Sequence, residues 1–115
     1  MEYVLERSVK MQHHIELPKN KDLLSNLTLN SENIHPDIFN HKEVISMIAK
    51  NGVYMEINLI GTLILDMIIK DKNINEITSE ISNLFNEKEK IIENDVLLFL
   101  EDLVNKGYLV KLCLN

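Results

Sequence analysis

The stretch that decides the fold is Val44-Ile45-Ser46-Met47-Ile48-Ala49-Lys50-Asn51-Gly52-Val53-Tyr54-Met55-Glu56-Ile57-Asn58. Two apolar runs flank Asn51-Gly52, a pair suited to the positive φ angles of a tight hairpin turn. Val44, Ile45, Met47 and Ile48 read as one strand and Val53 to Ile57 as the next, with Ile38 and Phe39 as a short strand before them. At Asn58 the apolar spacing changes from strand to helix, and Asn58 is itself a good N-cap for a helix running to about Lys70.

Two further helices follow. Asn73, with Glu76 three positions on, resembles a capping box, and Ile77, Ile81, Leu84 and Phe85 fall on one helical face. A third helix is expected from about Asn94, with Val96, Phe99, Leu100 and Leu103 inward and Gly107 as its left-handed end. Tyr108 to Leu112 reads as a short apolar tail. Upstream, Tyr3, Leu5, Val9, Met11, Ile15 and Leu17 occupy odd positions among polar even ones, which predicts a half-buried strand over 3–17. Pro18 ends it, and the Asn-, Lys- and Ser-rich chain as far as Pro36 reads as loop. Strands grouped before helices place the chain in the α+β class, with an arm over 1–35 and a main domain over 36–115.

Bulk properties exclude several function classes. The 115 residues fit one domain, and the 45% apolar content is enough for a core. The most apolar stretch, Leu59 to Ile69, is interrupted by Gly61, Thr62 and Asp66 and falls short of the roughly 20 residues of a membrane span. No basic start leads into an apolar run, so a signal peptide is not expected. Cys113 is the only cysteine, which fits a reducing, cytoplasmic setting. Eighteen acidic against twelve basic residues, with Arg7 the sole arginine, argue against nucleic acid and for a neutral or basic peptide or protein partner.

No reactive constellation emerges. His13 and His14 are adjacent and would point to opposite faces of a strand, while His35 and His41 sit in loops, so no metal site is expected. Cys113 reads as a small buried hydrophobe. Gly52, Gly61 and Gly107 are too dispersed for a phosphate loop. Asp66, Glu76, Glu80, Glu93, Asp95, Glu101 and Asp102 read as solvated helix faces, not as paired acid–base groups. The chain is therefore expected not to be an enzyme and to need no cofactor. The third helix carries surplus apolar residues: Leu97 and Val104 share one flank and Leu98 faces away. The flank either widens the core stripe, contacts the arm, or lines a groove beside an open strand edge, where an extended peptide can add as a strand.

Asn51 to Asn58 resembles the hairpin-to-helix signature of the PqqD-like proteins. Gly61, Ile64, Leu65 and Ile68 resemble that family's first helix. Ile74, Glu76 and Ile77 resemble the start of its second. Asp95-Val96, Phe99-Leu100, Leu103 and Gly107-Tyr108-Leu109 resemble its third helix and exit, so the likeness covers about residues 38–112. The resemblance implies a winged-helix-like, three-stranded antiparallel sheet followed by three helices, here with an extra N-terminal strand or arm. It also implies recognition of the leader segment of a ribosomally made precursor peptide, in the manner of a chaperone, for a separate radical enzyme or leader peptidase. The leader would add to Val53, Tyr54, Met55, Glu56 and Ile57, beside Leu97, Leu100, Glu101 and Val104. The arm would pack as an added strand, mediate a homodimer or occupy the groove. The alternatives are a winged-helix DNA-binding regulator, which would show Arg, Lys, Asn or Gln on the third helix, and a non-catalytic protein-interaction subunit.

Overall fold

The computed structural model describes residues 2–13 and 44–112. Its strands are β1 (Tyr3–Leu5), β2 (Lys10–His13), β3 (Val44–Lys50), β4 (Val53–Asn58) and β5 (Leu109–Lys111). Its helices are α1 (Leu59–Ile69), α2 (Ile74–Phe85) and α3 (Glu89–Asn105). The fold is α+β: three helices, a three-stranded antiparallel sheet in the order β2-β3-β4, and an antiparallel β1-β5 pair.

The hairpin forms as its turn residues dictate. Asn51 at φ 53° and Gly52 at φ 79° make a two-residue turn with positive φ at both positions, and Lys50 pairs with Val53. At the other end of β4, the Asn58 side chain accepts a hydrogen bond from the Gly61 amide at 2.9 Å and opens α1. The Thr62 hydroxyl donates to the Asn58 carbonyl at 2.8 Å. Its single proton being used there, Thr62 accepts from the Ser46 hydroxyl at 2.6 Å. Both side chains are fully buried, so this pair satisfies two polar groups while fixing α1 beneath β3. One turn along α1, Asp66 meets His13 of β2 at 2.9 Å. The sheet row His13–Ser46–Ile57 is thus tied to α1 at successive turns.

The α2 capping box is present in full: Asn73 accepts from the Glu76 amide at 2.8 Å, and Glu76 accepts from the Asn73 amide at 3.1 Å. Helix α3 departs from the sequence expectation, beginning at Glu89 instead of near Asn94. Its N-cap, Lys88, makes no side-chain cap bond, so there was no start signal to read, and Asn94 lies inside the helix. The added turn brings the fully buried Ile92 into line with Val96, Leu100 and Leu103. Gly107, at φ 85°, closes α3: its amide bonds the Val104 carbonyl and the Tyr108 amide bonds the Leu103 carbonyl.

The two chain ends also need correcting. Residues 3–13 form two strands, β1 and β2, in place of one continuous strand. Between them the Val9 amide bonds the Glu6 carbonyl, and the Glu6 carboxylate accepts from the amide and hydroxyl of Ser8. Odd positions still turn inward: Tyr3 is buried, and Leu5, Val9 and Met11 pack against the core. The segment Tyr108–Leu112 is no loose tail, because β5 pairs with β1 in the register Tyr3–Lys111, Val4–Val110 and Leu5–Leu109. Both elements share one core with Ile48, Ile64, Leu65, Ile77, Ile81 and the α3 stripe. The expected Ile38–Phe39 strand, the Ile15 and Leu17 positions, the Pro18–Pro36 loop, His14, His35, His41 and Cys113 lie outside the described residues.

Candidate functional site

Strand β4 is the edge of its sheet, pairing with β3 on one side only among the described residues. The hairpin turn fixes which of its groups face outward. A two-residue turn makes its flanking residues, Lys50 and Val53, a hydrogen-bonded pair, and such pairs alternate along an antiparallel ladder. Val53, Met55 and Ile57 therefore direct their backbone groups to β3. Tyr54 and Glu56 direct theirs to the open edge. Four main-chain groups, two N–H and two C=O, stand in a row there for an added strand.

The side chains sort by the same alternation. Ile57 is buried and Met55 half-buried on the core side, whereas Tyr54 and Glu56 lie on the outer face. Val53 is 60% and Tyr54 67% exposed, so the N-terminal half of the edge displays two large hydrophobic side chains. The opposite edge strand, β2, displays Lys10, Gln12 and His13 instead. Polar and charged residues are a usual protection of an edge, and β4 lacks it at Val53 and Tyr54.

Helix α3 and the turn that ends it approach the hairpin at two points. A Cβ built at Gly61 would come within 2.9 Å of Phe99 Cζ and 2.7 Å of Ile57 Cγ2, so the Phe99 ring lies beside the end of β4. Further along, Lys50 Nζ donates to the Gly107 carbonyl at 2.9 Å. Through these two side chains the chain from Phe99 to Gly107 reaches from the end of β4 to the hairpin turn. Helical spacing puts Phe99, Asp102 and Lys106 on one flank of the buried stripe and Leu97, Glu101 and Val104 on the other.

Of the α3 residues singled out from sequence, Leu97 and Val104 are half-buried against the core and Glu101 is exposed. Leu100 is fully buried, a core side chain and not a surface one. Leu98 points outward at 66% exposure. Sequence reasoning counted Phe99 only as core. The signal for its position beside β4 is Gly61, a residue without a side chain in the first turn of α1.

The electrostatics are acidic and simple. On α3, Asp102 is paired with Lys106 at 2.8 Å, while Glu101 faces solvent. The Ser8 hydroxyl above all holds the Glu6 carboxyl below its usual range; desolvation, the next influence, opposes it, and the Ser8 amide and the Lys50 ammonium 3.5 Å away add to the lowering. Glu80 holds Lys72 above the usual lysine range. Among the described residues no three His, Cys, Asp or Glu side chains gather as metal ligands, and no helix is long and apolar enough to cross a membrane.

Residues 40–109, more than half of the chain, match the family described as coenzyme PQQ synthesis protein D (PqqD). The chain belongs to the PqqD family. No curated protein and no solved structure matches it. PqqD-family members are non-catalytic accessory proteins of peptide natural-product synthesis. The match runs from just before β3 to the first residue of β5, and so takes in the β4 edge and all of α3.

Proposed function

We propose that this PqqD-family chain is a binding protein that captures the leader segment of a ribosomally made precursor peptide by strand addition to β4. It then presents the peptide to a separate modifying or leader-cleaving enzyme, a radical enzyme or a peptidase. The observation that carries this reading is the open β4 edge, where Tyr54 and Glu56 offer main-chain hydrogen bonds and the exposed Val53 and Tyr54 side chains offer apolar surface beside them. Residues Val53 to Ile57 form the edge. On α3, the Phe99 ring meets the Gly61 position together with Ile57 at the end of the edge, and the family resemblance adds Leu97, Glu101 and Val104 as a wall with Leu100 beneath. Binding duplex DNA is disfavoured by the net charge of −6 and by an α3 surface where Glu89, Glu93, Glu101 and Asp102 face solvent beside Lys90 and a Lys106 already paired with Asp102.

Proline substitution tests the strand-addition step. Tyr54→Pro deletes one outward-facing amide and leaves the β3 ladder intact, a change that edge strands tolerate. Met55→Pro instead removes a ladder bond to β3. Short random peptides displayed on phage are selected on the full chain, and the winners titrated against both variants. Tyr54→Pro is expected to keep the fold by circular dichroism and to lose binding about two- to tenfold, the scale of one lost hydrogen bond. Unchanged affinity of Tyr54→Pro would rule the edge out, and failure to select any peptide would remove the function.

A further inference from the structure

The β4 edge also dictates what the captured strand must carry. We propose that the bound segment alternates in character: Lys or Arg beside Glu56, a cation or aromatic ring beside Tyr54 two positions away, and apolar residues between and around them. This rests on the strand-addition reading above and assigns Glu56 as its specificity-determining side chain.

Glu56 lies on the outer face of the sheet with its backbone directed to the open edge. Its neighbour across β3 is Met47, and beyond that Gln12, so the row offers it no cation. Lys10, one row away on the same face, is two strands distant, roughly 10 Å by the spacing of a sheet. No ion pair to Glu56 exists among the described residues. Whichever direction an added strand runs, one of its side chains comes to lie directly beside Glu56 on that face, at the separation where opposite charges attract and like charges repel. Two residues along, the next same-face side chain lies beside the exposed Tyr54 ring, which favours a cation or another aromatic. The residues between turn to the core side, toward Met55 and Phe99, where an apolar side chain is favoured. The chain's net charge of −6 attracts such a basic segment at longer range.

The competing role for Glu56 is to guard a bare edge against pairing with other chains. Phage selections on the wild-type chain, Glu56→Gln and Glu56→Lys separate the two. The specificity role predicts Lys or Arg enriched at one position of the wild-type winners, enrichment lost with Glu56→Gln, and Asp or Glu taking that position with Glu56→Lys. Synthetic winners should lose about two- to fivefold in affinity on each charge reversal and recover it when both partners are swapped. Winners whose charge pattern is the same for all three chains would overturn the assignment of Glu56 while leaving the peptide-binding reading standing. Winners that still bind Tyr54→Pro at full affinity would overturn both.

Discussion

The Phe99 ring and the Gly61 backbone occupy adjoining space at the end of β4, and a methyl at Gly61 would fall 2.9 Å from Phe99 Cζ and 2.7 Å from Ile57 Cγ2. Gly61→Ala removes a poor helix former, a gain of up to about 1 kcal/mol. Two contacts that real Cβ atoms do not make outweigh it. Ile57 is buried and the half-buried Phe99 packs against the core, so making room for a methyl requires repacking, at about 1–3 kcal/mol. Gly61→Ala should therefore lower the urea midpoint, and Phe99→Leu in that background should recover part of the loss. A Gly61→Ala chain as stable as the parent would mean that α3 sits farther from β4 than described.

Much of this architecture was legible because its signals are local. The Asn51-Gly52 turn, the Asn58 cap and the Asn73/Glu76 box each depend on residues within a few positions, and each forms where the sequence placed it. The start of α3 was missed because Lys88 caps nothing with its side chain, leaving periodicity alone to mark a boundary. The division of residues 3–13 between two sheets was not legible for a different reason. Alternation records which face is buried, and Tyr3, Leu5, Val9 and Met11 all face the core whether the strand is continuous or broken. That β1 pairs with β5 depends on residues a hundred positions away. The placement of Phe99 beside β4 is likewise tertiary, visible in sequence only as an unexplained glycine.

The turn that breaks the N-terminal strand in two makes a pH prediction. The Ser8 hydroxyl above all holds the Glu6 carboxyl below its ordinary value of 4.5, with the Ser8 amide and Lys50 adding to the effect. A carboxyl with a depressed folded value contributes stability that is complete above the unfolded value and lost as pH falls through the folded one. Amide exchange at Ser8 and Val9, corrected for its intrinsic pH dependence, should therefore show protection that is constant at neutral pH and weakens only below about 4.5. Glu6→Gln should remove that dependence, since it has no proton to take up. Protection that weakens equally in Glu6→Gln would place the acid-sensitive group elsewhere.

The two flanks of α3 make the last prediction. Leu103 is fully buried in the middle of the inward stripe, so Leu103→Lys puts an unpaired charge in the core and should unfold the domain. Leu97 is half-buried on the flank that the family resemblance assigns to the leader groove. There a lysine can lay its aliphatic stem along the surface and keep its charge in water, so Leu97→Lys should cost the fold little. It should weaken capture of a selected peptide by about 1–3 kcal/mol, the scale for spoiling an apolar anchor. Calorimetric titration beside thermal melts separates stability from binding in both variants. If Leu97→Lys melts the chain as badly as Leu103→Lys, that flank is core. If it leaves both stability and binding unchanged while Phe99→Ala weakens capture, the wall of the groove is the Phe99 flank, the one seen against Ile57 and Gly61.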